Sequence, residues 1–142
     1  MQPDEARAAD AKAWLAKAAD DMHSASHALA AEPALREDAA FHCQQAVEKL
    51  LKAFLTWHDV PFRKTHSLEE LGYQCLSVDP SLRPLVGQAA PLSEYAVRFR
   101  YPGPSEPLTP AEVDEAMTTA RAAADQILTR LPAAVHPEAR GG

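Results

Sequence analysis

The sequence predicts an all-α protein, an antiparallel bundle of four to five helices. Apolar residues recur at the helical period along three long segments. Valine and isoleucine are few, and no alternating run marks a half-buried strand. Proline-bearing turns divide the chain at helix-sized intervals, and two of them lead into helix-start signatures. Alanine supplies much of the 46% apolar content, which lets helices approach closely. At 142 residues the chain is about one domain long.

The first helix is expected to start near Pro3, a residue suited to a first helical position. Trp14, Ala18, Met22, Ala25 and Leu29 form its inner stripe, and Pro33 breaks it. A second helix runs from about 35 to 58, followed by a loop holding Pro61. SLEE, residues 67–70, reads as a capping box that opens a short third helix ending near 77. VDPSLRP is a turn. Residues 85–99 are helical with an interruption at Pro91. Residues 100–108, RYPGPSEPL, hold three prolines and a glycine and cannot be regular. TPAE, residues 109–112, combines an N-cap threonine, a first-position proline and a reciprocating glutamate. The last helix carries Val113, Ala116, Met117, Ala120, Ala124, Ile127, Leu128 and Leu131 at amphipathic spacing, and Pro132 stops it. Residues 1–132 are read as one domain and 133–142 as a flexible tail.

The opening MQPDEARAAD has neither the basic nor the apolar region of a signal peptide. No run approaches the length of a membrane span, so no membrane partner is expected. Cys43 and Cys75 lack metal-ligand spacing and read as reduced thiols of a cytoplasmic protein. The net charge of −6 is uneven: −4 over residues 1–40, +1 over 41–101 and −3 over 102–142. An acidic protein is a poor non-specific binder of nucleic acid, so an anionic ligand would meet the middle third.

That middle third holds FHCQQAVEKLLKAFL, residues 41–55. On a wheel of about 100° per residue, its apolar residues and those flanking them fill an arc of about 200°. A face that broad marks the central helix, packed by several neighbours or by a second subunit. Gln44 lies inside the arc, so its amide must find partners on another helix or on the opposite subunit. His42, Gln45, Glu48, Lys49 and Lys52 share the remaining sector with Phe41 and Thr56. One reading is a solvated face with Gln45–Lys49 and Glu48–Lys52 pairs. The other is a polar wall facing a groove.

FHCQQAVEKLLKAFL resembles the FHxQQAxEKxLKA signature of the HEPN family, small helical nucleotide-binding and RNA-associated domains. KTHSLEEL, residues 64–71, is similar to that family's TH-x-L segment, and EYAVRFRYPG, residues 94–103, to its segment ending in RYP. The early Trp14 and the alanine-rich last helix fit as well, so the similarity spans nearly the whole chain. The resemblance implies a HEPN-like bundle of the RYP type that commonly dimerises. It also implies a small nucleotidyltransferase encoded alongside in a toxin–antitoxin-like pair. The family's ribonucleases carry R-x4–6-H near the start of their last long helix and cleave RNA without metal. Here no such motif stands in that place, nor the tyrosine that follows it. Arg36 and His42 match the spacing by accident, at the start of the second helix.

The reading is therefore a binding module, with an atypical metal-independent ribonuclease toxin as the alternative, using Arg98 or Arg100 with His42 or His66. In the module, His42, Gln45, Lys49, Lys52 and His66 form one side of a groove, while Gln44 and Glu48 serve structure or interface. Arg98 and Arg100 suit phosphate through bidentate hydrogen bonds, and Tyr101 suits base stacking. Equally, Arg100 suits a helix C-terminus and Tyr101 a core position. No cofactor is expected, although a nucleotide such as ATP is a possible ligand. His23 and His27 stand at i, i+4 and could chelate, but no HExxH glutamate or third ligand accompanies them.

Overall fold

A computed structural model describes residues 2–99, 102 and 106–138. Among them are five α-helices: α1 (Pro3–Ala30), α2 (Arg36–Trp57), α3 (Leu68–Val78), α4 (Arg83–Ala89) and α5 (Pro110–Thr129). Short 3-10 turns at Pro80–Leu82 and Ala133–Val135, and a longer one at Ala90–Ala96, complete them. Pro91 stands in that last segment and takes the place of a continuous helix. Among the described residues there is no strand, and no helix is long and apolar enough to cross a membrane.

Alanine decides the geometry of the α1–α2 hairpin. Ala11, Ala18, Ala25 and Ala28 of α1 and Ala39, Ala40, Ala46 and Ala53 of α2 are buried. Small side chains at these positions let the two axes come close. The hairpin is antiparallel, since partners descend on α1 as they climb on α2. Ala28 packs with Ala39, Asp21 pairs with His42 and Lys49, and Lys52 lies over the Trp14 ring. The α2–α5 pair runs parallel: Ala39 clusters with Val113, and one turn on, Cys43 Sγ lies 3.2 Å from Met117 Sδ. The connection through α3, α4 and the 3-10 segment is long enough to carry the chain back. Helix α2 is therefore the central rod, as its wide apolar arc requires.

The end of α2 sets up everything that follows. Val60 N–H donates to Leu55 O at 2.9 Å and Asp59 N–H to Thr56 O at 3.1 Å. This is a Schellman termination with Asp59 at φ 59°, a left-handed position aspartate tolerates better than bulkier residues. The turn folds residues 58–67 back over α2, and Phe62 meets Trp14 edge-on at 6.3 Å. Ser67 Oγ then accepts from Glu70 N–H at 3.1 Å and starts α3. The reciprocal half of that box is missing because Arg63 holds the Glu70 carboxylate at 2.6 and 3.0 Å. At α5 the box is complete, with Thr109 and Glu112 exchanging two bonds of 3.1 Å. Gly72 lets α3 approach α4, since a Cβ there would lie 2.6 Å from Val86 Cγ1.

Within the segment expected to be a flexible tail, Ala133–Val135 forms a 3-10 turn and Val135 is buried. His136 Nε2–H donates to the carbonyls of Leu128 and Leu131 at 2.8 and 3.0 Å, closing the end of α5.

Candidate functional site

The polar sector of α2 is not a wet face. Glu48 and Lys52 are buried, and His42, Gln45 and Lys49 are half-buried. Two carboxylates organise them. The first, Asp21, comes from α1 with its side chain 10% exposed. It accepts from Lys49 Nζ and from His42 Nδ1, the latter at 2.9 Å. His42 and Lys49, expected on the wall of a groove, are thus tied across the helix pair. Asp21 escaped the sequence reading, although a signal was present: it sits among Ala18, Met22 and Ala25 on the stripe that α1 buries.

The second carboxylate, Glu48, is 3% exposed. Its Oε1 accepts from His66 Nδ1 at 2.7 Å and from Gln44 Nε2 at 3.2 Å, and its Oε2 accepts from Lys52 Nζ at 3.1 Å. Gln44 Nε2 also donates to His66 O at 3.1 Å, while Gln44 Oε1 accepts from Gln45 Nε2 at 2.6 Å. Gln44 is fully buried and satisfied, as such an amide must be. Its partners come from its own helix and from the loop before α3, which corrects the expectation of another helix or a second subunit. Among the described residues no buried side-chain polar atom is left without a partner.

Lys52 requires a second correction. Its ammonium lies 5.3 Å from the Trp14 ring centroid and 5.9 Å from that of Phe62, paired with Glu48 beneath them. The returning loop covers it, so it cannot line an open groove. A solvated Glu48–Lys52 pair is overturned likewise: the pair forms but is buried. Gln45 and Lys49 bond to Gln44 and Asp21.

His66 differs from the rest. Its side chain is 55% exposed while its Nδ1 rests on a buried carboxylate. A carboxylate can only accept, so Nδ1 carries the hydrogen and Nε2 of the neutral ring keeps its lone pair. Ser67, the next residue in the chain, lines a shallow hollow of about 890 Å³ together with Phe62, Arg63, Glu69, Glu70, Tyr73 and Gln74. The Tyr73 ring is 77% exposed there, and the sequence reading passed over it. The hydrogen bonds and charge of Arg63 hold Glu70 below the usual carboxylate range.

Arg98 bonds to Glu94 Oε1 at 3.3 Å and to Glu106 O at 3.2 Å, and its guanidinium lies 4.9 Å from the Phe99 ring. These contacts fasten the 3-10 segment to residue 106. Arg100 and Tyr101 lie outside the described residues. Burial pushes both thiols, Cys43 and Cys75, up to about 12, so they stay protonated and unreactive. Among the described residues no group of three or more histidine, cysteine, aspartate or glutamate side chains could hold a metal ion.

No curated protein and no solved structure matched the chain. A model of the HEPN domain family matches residues 11–128, from the third turn of α1 to the last turn of α5. That span contains the α1–α2 hairpin, both carboxylate nodes, His66 and the capped start of α5, and the chain belongs to the HEPN domain family.

Proposed function

We propose that this HEPN domain is a binding module for a nucleotide or an RNA end, centred on His66 and the hollow beside it. One observation carries the reading: the exposed imidazole of His66 is fixed through Nδ1 by the buried carboxylate of Glu48, and the following residue, Ser67, lines the hollow that the exposed Tyr73 also lines. Tyr73 and Phe62 offer stacking surfaces to a base, Lys64 offers charge to phosphate, and the lone pair on Nε2 of the neutral His66 ring accepts from a ribose hydroxyl or a base N–H. Arg98, Arg100 and Tyr101 enter this reading by family resemblance alone, as candidates to meet phosphate and base; Arg98 is held by Glu94 and Glu106. Lys52 supports the site from below through Glu48, and Gln45 through Gln44, while His42 and Lys49 lock the hairpin on Asp21.

In the finer form of the reading the domain works as a cytoplasmic homodimer beside a small nucleotidyltransferase, in a toxin–antitoxin-like pair. Family resemblance supports this, together with Leu35 and Val97, large apolar side chains left about half exposed.

The lone pair on Nε2 of the neutral His66 ring favours a second reading, a metal-independent ribonuclease in which that nitrogen takes the 2′-hydroxyl proton as the 2′-oxygen attacks phosphorus, and gives it up to the departing 5′-oxygen as the P–O5′ bond breaks. One experiment serves both. Labelled ATP and short RNAs are titrated against wild type, His66→Ala and Arg100→Ala, and the RNA is then examined for length. Binding weakened about tenfold in His66→Ala, with intact RNA, supports the module. Fragmentation by wild type supports the ribonuclease. Equal binding by wild type and both variants, or none by any, overturns the site.

A further inference from the structure

His23 and His27 take no part in either carboxylate node. They stand one turn apart on α1, both exposed. Their Nε2 atoms lie 3.0 Å apart, and their rings meet edge-to-face with centroids 4.5 Å apart. Two arrangements account for both rings turning the same nitrogen toward one point, a hydrogen bond between them and a shared metal ion. A single shared hydrogen satisfies that geometry only when one ring is protonated at Nε2 and the other at Nδ1. A metal ion satisfies it with both rings as acceptors. With metal–imidazole bonds of about 2.0–2.1 Å, two nitrogens in cis at about 90° are about 2.9 Å apart, and at a tetrahedral angle about 3.3 Å. The observed 3.0 Å falls between the two.

We propose that His23 and His27 form a bidentate site for a divalent transition-metal ion such as Ni²⁺, Cu²⁺ or Zn²⁺. The remaining coordination positions are filled by water. Helical spacing i, i+4 holds both ligands on one rigid element, so little ordering is needed on binding. The charge of −4 over residues 1–40 draws a cation to this end of the chain. The bound ion clips one turn of α1 immediately after Asp21, the residue that anchors His42 and Lys49.

The test uses the full chain and Ni²⁺ alone, followed by calorimetry and by the melting temperature. Wild type at about pH 7.5 is expected to bind one Ni²⁺ and to melt higher with it. His23→Ala and His27→Ala are each expected to bind at least about tenfold more weakly and to lose the rise in melting temperature. His58→Ala, an exposed histidine outside the pair, is expected to behave as wild type. The proposal is overturned if either single variant binds Ni²⁺ as tightly as wild type, or if His58→Ala weakens binding as much as they do. Absence of binding by wild type at millimolar Ni²⁺ overturns it too. None of these outcomes bears on nucleotide binding at His66, which lies on another element.

Discussion

Asp21 and Glu48 are both buried carboxylates serving the same polar sector of α2, yet they produce different surfaces. Asp21 reaches over from α1 and consumes the polar atoms it meets: its two partners, His42 and Lys49, have side chains only 30% and 20% exposed. Glu48 sits on α2 itself and is enclosed by Gln44, Lys52 and the loop that folds back after Asp59. Of its partners, one stays in water: His66, at 55%. The difference comes from chain direction. A helix lying alongside can staple, whereas a loop crossing the stripe can end on a residue that faces outward. One node locks the hairpin, and the other supports an exposed functional group.

Removing each carboxylate tests that contrast. Glu48→Ala is expected to cost about 3–5 kcal/mol, because it strands the Lys52 ammonium beneath Trp14 and Phe62 with no counter-charge. Asp21→Ala is expected to cost about 1–3 kcal/mol, since His42 and Lys49 are exposed enough to recruit water. Urea denaturation of both variants measures the two values. If Asp21→Ala proves the more destabilising, the assignment of the buried charge to Glu48 is wrong. His66→Ala sharpens the contrast from the other side. Its stability loss is expected to be about 1 kcal/mol or less, because Glu48 keeps Gln44 and Lys52. Any effect of this variant on ligand binding is then chemical and not a consequence of unfolding.

Much of this was legible in the sequence. Helical periodicity, Pro3, TPAE and the SLEE hydroxyl located the helices because each rests on local chemistry. Gln44 announced its burial by its place within the apolar arc. The same wheel misjudged Lys52, because a wheel shows one helix and cannot show the loop that returns over it. Covering that sector depends on Asp59 turning left-handed and on Phe62 finding Trp14, 48 positions earlier in the chain. Asp21 was missed for a related reason. A single carboxylate on an alanine-rich stripe gains meaning only once the facing helix supplies His42 and Lys49.

The most direct measurement is the heteronuclear spectrum of the imidazole nitrogens, recorded without and with a short RNA. In its neutral form His66 is expected to carry its hydrogen on Nδ1, with the Nε2 signal moving as RNA is added while His42 stays fixed. A His66 that is protonated on Nε2 alone, or one whose signals ignore saturating RNA while those of His42 shift, would contradict the claim that Glu48 poises His66 for a ligand.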